Sequence, residues 1–212
     1  MKNPVWLFDL DNTLHDATPH IFPHINRAMR QYIEHHLGVD KDEANRIRQD
    51  YWQRYGATLL GLMRHHGTDP RHFLRETHQF ANLARMVVFE RPLLHALRRL
   101  PGRKIIFSNG PRHYAEAILD ITGLRHCFDA LYAVENVRFQ PKPMIAGFRK
   151  LLRSEGLDPR RCIMVEDSLA NLVSAKRLGM KTVWVSTGSR HSPFVDVKIS
   201  SVMQLPQRCA RL

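Results

Sequence analysis

The chain has 212 residues, 43% of them apolar and 25% charged, which excludes a disordered or fibrous protein and points to an ordinary folded one. Its net charge of +12 favours anionic partners. The opening apolar run, Val5 to Phe8, is too short for a secretory leader, and no stretch approaches the roughly 18 apolar residues of a membrane span, so a cytoplasmic protein without a membrane segment is expected.

Val5-Trp6-Leu7-Phe8 is a continuous apolar run that ends in polar residues, the pattern of a buried parallel strand. From about Thr18 to Ala84 no further strand pattern intervenes. Ile25, Met29, Ile33 and Leu37 form one helical stripe ending before Gly38, and Ala44, Ile47, Tyr51 and Tyr55 form another behind a possible cap at Asp40. Two shorter helices are expected over Thr58–His66 and Asp69–Phe80. Lys104–Phe107 is a second strand, followed by a helix from Pro111 to Thr122 that stops at Gly123. Ala130–Ala133 is a weaker strand candidate. A helix from Met144 to Glu155, a strand over Cys162–Val165, a helix over Leu169–Leu178 capped by Ser168 and a strand over Thr182–Val185 complete the pattern; the rest has no clear periodicity. Strands alternating with helices predict an α/β fold, a Rossmann-like doubly wound parallel sheet. The expected domains are residues 1–16 with 86–212 for the sheet, and 17–85 for an all-helical insertion after the first strand. Cys127, Cys162 and Cys209 lack paired spacing and read as reduced thiols.

Polar residues with chemical potential gather at the ends of these strands, the edge where open α/β sheets bind ligands. Asp9 and Asp11 follow the first strand, two residues apart, so their carboxylates can converge on one site. A pair of turn or capping aspartates is the plain alternative. Ser108-Asn109-Gly110 follows the second strand at a helix start, where a hydroxyl and unbonded N–H groups suit a phosphate, although it is also ordinary turn sequence. Lys142 lies between Pro141 and Pro143, which restrict the backbone and aim the side chain. Glu166-Asp167-Ser168 closes another strand with two acids suited to a hard divalent cation, helix capping by Asp167 being the rival account.

Taken together, Phe8-Asp9-Leu10-Asp11-Asn12-Thr13, Ser108-Asn109, Pro141-Lys142-Pro143 and Val165-Glu166-Asp167-Ser168 resemble, in order, the four motifs of the haloacid dehalogenase superfamily. The helical insertion resembles the cap that superfamily places between its first two motifs. The resemblance implies a phosphoryl-transfer enzyme with Asp9 as nucleophile and Asp11 as general acid and then base. It implies Mg²⁺ held by the Asp9 side chain, the Asp11 backbone carbonyl and Asp167, with Glu166 orienting the site. Ser108, the Asn109 backbone, Lys142 and Thr13 are its expected phosphate- or substrate-binding residues. Members that remove halide lack a carboxylate two residues after the nucleophile; Asp11 therefore favours phosphate ester hydrolysis.

Asp11-Asn12-Thr13-Leu14, Tyr55–Leu62, Leu100–Lys104 and Leu178–Trp184 are similar to the pyrimidine 5′-nucleotidase-like subgroup, which implies a small phosphorylated substrate such as UMP or CMP. A sugar-phosphate or phosphoglycolate phosphatase is the alternative. Tyr51, Trp52 and Tyr55 can stack a base, although their helical spacing fits core packing better. His15 can line the entrance, and Arg112 and His113 can meet substrate. Nine of the thirteen histidines lie between His15 and His78 without metal-ligand spacing, so no zinc site is expected. From Arg91 onward there are 21 basic and 9 acidic residues. That surplus alone speaks for nucleic acid, and no motif for specific binding accompanies it. A silent binding protein on the same fold would have lost a motif acid; none is missing.

Overall fold

The computed structural model describes residues 4–208, so Cys209 lies outside the described residues; Cys127 and Cys162 carry free thiols. Six strands form one parallel sheet: β1 (Val5–Phe8), β2 (Arg103–Phe107), β3 (Ala130–Tyr132), β4 (Cys162–Glu166), β5 (Lys181–Val185) and β6 (Val197–Ile199). Their spatial order is β3-β2-β1-β4-β5-β6, which puts β1 between β2 and β4. Val5 pairs in register with Arg103 on one side and Cys162 on the other.

All four residues of β1 are buried, as a central parallel strand requires. Val5 and Leu7 belong to a core that also holds Ile105 and Phe107, with Phe148 and Leu151 from α7 (Ile145–Glu155) and Leu172 and Ala175 from α8 (Leu169–Arg177). Trp6 and Phe8 alternate to the opposite face, where Phe8 meets Phe128 edge-on at 5.8 Å and the Trp6 indole donates to the Pro101 carbonyl.

The chain divides into two compact units, one of residues up to Asp16 and from Val87 on, the other Ala17–Met86. The first contains the sheet with α5 (Leu93–Arg99), α6 (Arg112–Thr122), α7, α8 and α9 (Leu205–Arg208). The second contains α1 (Ile21–Leu37), α2 (Lys41–Tyr55), α3 (Thr58–His66) and α4 (Pro70–Thr77), and no strand among its described residues. Asp40 caps α2 by accepting from the Asp42 and Glu43 amides, and Gly38 and Gly56 close α1 and α2 in the left-handed conformation. Gly61 of α3 faces Tyr51 so closely that a Cβ would stand 2.1 Å from the ring. α4 ends at Thr77, short of the expected Phe80, with Asp69 as its cap. Ser168 occupies the cap position of α8, but its side chain makes no capping bond; its amide donates to Glu166 instead.

Candidate active site

Each expected motif ends a strand or fills a loop at the same sheet edge. Asp9 follows β1, with its amide donating to the Val165 carbonyl of β4 at 3.0 Å. Ser108 follows β2, Glu166 is the last residue of β4 and Asp167 comes next. Because β1 has β2 and β4 as neighbours, three of the four motifs are adjacent by strand order alone.

Lys142 supplies the fourth from the loop before α7. It is 1% exposed, and its Nζ donates to Asp9 Oδ1 at 2.6 Å and to Glu166 Oε2 at 2.8 Å. The Phe107 ring lies 5.2 Å from the same ammonium. The Asn109 amide brackets the Lys142 backbone, donating to its carbonyl at 2.9 Å and accepting from its N–H at 2.8 Å. Sequence reasoning gave Asn109 only a backbone role; its side chain fixes the loop that carries the lysine. The Thr13 hydroxyl donates to Asp9 Oδ2 at 3.3 Å, and Ser108 Oγ accepts from the Gly110 amide at 3.0 Å.

One ammonium thus sits between two buried carboxylates. Burial, reinforced by the Glu166 charge and opposed by Lys142, pushes the Asp9 carboxyl up to about 7. Burial raises Glu166 to about 7 as well, against the pull of Lys142. For Lys142 burial acts downward, but the two carboxylates outweigh it and hold the ammonium above the ordinary lysine range. Oxygens of Asp9, Glu166 and Asp167 all lie within 4.8 Å of one another. Three acids around one cation leave an excess of negative charge, and an all-oxygen donor set suits a hard divalent ion such as Mg²⁺. The residues present fit that ion.

Asp11 departs from the simplest expectation. β1 ends at Phe8, so neither aspartate is on the strand, and the chain turns at Asn12, whose φ is 60°. The Asp11 carboxylate is not part of the Asp9–Glu166–Asp167 group. Its Oδ1 accepts from the Tyr114 hydroxyl and lies 2.9 Å from His15 Nε2. Burial and then the Asp11 charge hold the Tyr114 phenol well above its ordinary range. His15, expected at an entrance, is buried. Arg112, expected at substrate, is occupied by Glu116 at 3.1 Å and Asn136 at 3.0 Å. Tyr114 was not anticipated, because an aromatic residue in the first turn of a helix reads as packing.

In the helical unit Tyr51 donates to or accepts from His66 Nε2 at 2.7 Å, and Tyr55 pairs with His65 Nε2 at 2.6 Å. Trp52, by contrast, is 62% exposed.

Comparison with known proteins agrees with this architecture. Residues 5–179 match the haloacid dehalogenase-like hydrolase family. The chain belongs to that family. A haloacid dehalogenase-superfamily phosphatase from Thermococcus onnurineus, solved by crystallography, superposes with a TM-score of 0.67 at 25% identity over 97% of both chains. Fructose-1-phosphate phosphatase YqaB of Escherichia coli is 27% identical over 84% of this chain and 93% of its own. A 5′-nucleotidase of Pseudomonas aeruginosa is 27% identical over 89% and 85%, respectively. Phosphate metabolism protein 8 of Saccharomyces cerevisiae is 25% identical over 83% of this chain, which spans 59% of that relative. Family membership makes the chain a haloacid dehalogenase-like hydrolase, and its relatives include proteins named as phosphatases. No helix among its described residues is long and apolar enough to cross a membrane.

Proposed function

We propose that this family member is a Mg²⁺-dependent phosphomonoesterase working through a phospho-aspartate on Asp9. The observation that carries the reading is the Lys142 ammonium bonded to both Asp9 and Glu166, with Asp167 beside them. An Asp9 oxygen attacks phosphorus, the P–O bond to the leaving group breaks, and Asp11 gives its proton to the departing oxygen. Water, deprotonated by Asp11, then attacks the aspartyl phosphate, releasing phosphate and the Asp9 carboxylate. Lys142 and the Ser108 hydroxyl, with the Asn109 backbone, neutralise and orient the transferring phosphoryl oxygens, since this chemistry depends on positioning and charge. Asp9 and Asp167, with the Asp11 carbonyl, would hold Mg²⁺, which would supply positive charge to keep Asp9 ionised and offset charge on the phosphoryl group. The helical unit, residues 17–86, acts as the cap that selects the substrate.

For substrate we favour sugar phosphates, supported by the likeness to fructose-1-phosphate phosphatase YqaB. A second reading, pyrimidine 5′-mononucleotides, is supported by the Pseudomonas 5′-nucleotidase, by the motif resemblances and by the exposed Trp52 ring, which can stack on a base. The test is purified protein with Mg²⁺ against fructose 1-phosphate, UMP, CMP and p-nitrophenyl phosphate, beside Asp9→Asn. Turnover should vanish with chelator and fall by at least about 10³-fold in the variant. Undiminished hydrolysis by Asp9→Asn would overturn the mechanism, and the ratio of kcat/KM between sugar phosphates and nucleotides decides the substrate class.

A further inference from the structure

We propose that Tyr114 and His15 are positioning residues that hold the Asp11 carboxylate in the orientation needed for proton transfer to the leaving oxygen. The inference rests on the phosphomonoesterase reading and assigns work to two side chains outside the proposed phosphate-binding set.

Two donors converge on one oxygen. The Tyr114 hydroxyl donates to Asp11 Oδ1, and His15 Nε2 lies 2.9 Å from the same atom. His15 Nδ1 is buried and has no hydrogen-bond partner, so the ring proton belongs on Nε2, where an acceptor waits. The partners come from different places in the fold. Tyr114 lies in the first turn of α6 and is 1% exposed; His15 is four residues beyond Asp11, with a fully buried side chain. A carboxylate on a turning loop can rotate about two side-chain torsions. Two rigid ring-borne donors on one of its oxygens remove that freedom.

The local packing is arranged around the tyrosine. A Cβ on Gly110 would stand 3.0 Å from the Tyr114 ring and 3.3 Å from Ser108 Oγ, so the residue that links the phosphate-loop serine to α6 leaves room for both. A buried phenol needs a partner, and a backbone carbonyl would satisfy it. Here the partner is a carboxylate, which makes the bond charge-assisted and therefore stronger and more directional. Misplacement of a reacting group by about 1 Å can cost on the order of 10²-fold in rate, so holding Asp11 matters to turnover.

The test separates positioning from general support by the choice of leaving group. An alkoxide needs a proton to depart; 4-nitrophenolate does not. Tyr114→Phe keeps the ring and removes only the donor. It should lower kcat/KM for an alkyl phosphate such as fructose 1-phosphate or UMP by about 10- to 100-fold, and for p-nitrophenyl phosphate by less than about threefold. His15→Leu should show the same selectivity, and His15→Gln, which places an amide donor near the former Nε2, should recover most of the loss. The histidine pair decides the matter if Tyr114→Phe fails to fold. Equal loss on both esters, or none, in an active background would overturn this inference alone. A wild-type protein inert toward every ester would overturn the phosphomonoesterase reading and the inference with it.

Discussion

The ammonium of Lys142 is shared by Asp9 and Glu166 in a buried cluster, and that arrangement makes folding sensitive to pH. Both carboxyls are raised to about 7, chiefly by burial, so the folded chain binds protons more tightly than the unfolded chain. The stability linked to them is fully present below the ordinary carboxylate range and is lost as pH rises through about 7, at up to about 1.4 kcal/mol per pH unit for each proton. In chelator, wild-type protein should therefore melt at a lower temperature at pH 8 than at pH 5.5, and Asp9→Asn should show a smaller difference. Equal differences in a thermal melt would remove Asp9 from the account. At this scale the sequence was informative where a residue type is conspicuous for its place: an acid or a hydroxyl at the end of an apolar run, or a lysine between two prolines. It was silent on Tyr114 and on the Asn109 side chain, because their partners, Asp11 and the Lys142 backbone, lie 103 and 33 residues away in the chain.

Helix α7 shows how an element serves the site without entering it. Gly147 is its third residue, and a Cβ there would stand 2.1 Å from the carbonyl oxygen of Gln140, two residues before Lys142. Alanine would gain about 1 kcal/mol of helix propensity at an ordinary position. Against a fixed backbone atom the clash outweighs that gain, at about 1–3 kcal/mol for overpacking, and relief requires moving the segment that carries Lys142. Gly147→Ala should lower the urea midpoint and reduce turnover; a neutral or stabilised variant would contradict the packing argument. The four strong strands and most helices were legible as apolar runs and 3.6-residue stripes closed by glycine. β6 was not, because its three residues, Val197–Ile199, are too few to show a period, and its pairing with β5 is what makes it a strand. Ser168 illustrates the opposite error: the right residue at the right position, with its amide rather than its hydroxyl engaged.

Across the whole molecule the connections to the helical unit are economical. The chain leaves the α/β unit after Asp16 and returns at Val87, and the Asp16 amide donates to the Val88 carbonyl at 2.8 Å. Among the described residues, the core cluster that includes Val5, Phe107 and Phe148 holds none between 17 and 86. Replacing residues 17–86 by a short glycine–serine linker should thus leave a unit that melts cooperatively with a mixed α/β circular dichroism spectrum; loss of the cooperative transition would show that the sheet depends on the excised helices. The same sheet order has a dynamic corollary. Asp9 extends one of the two central strands, and its own amide joins the ladder to β4. Such amides exchange with solvent only through the largest openings of a protein. Asp9, the proposed nucleophile, therefore stays anchored until the sheet itself gives way, so under denaturant the loss of turnover should coincide with global unfolding instead of preceding it.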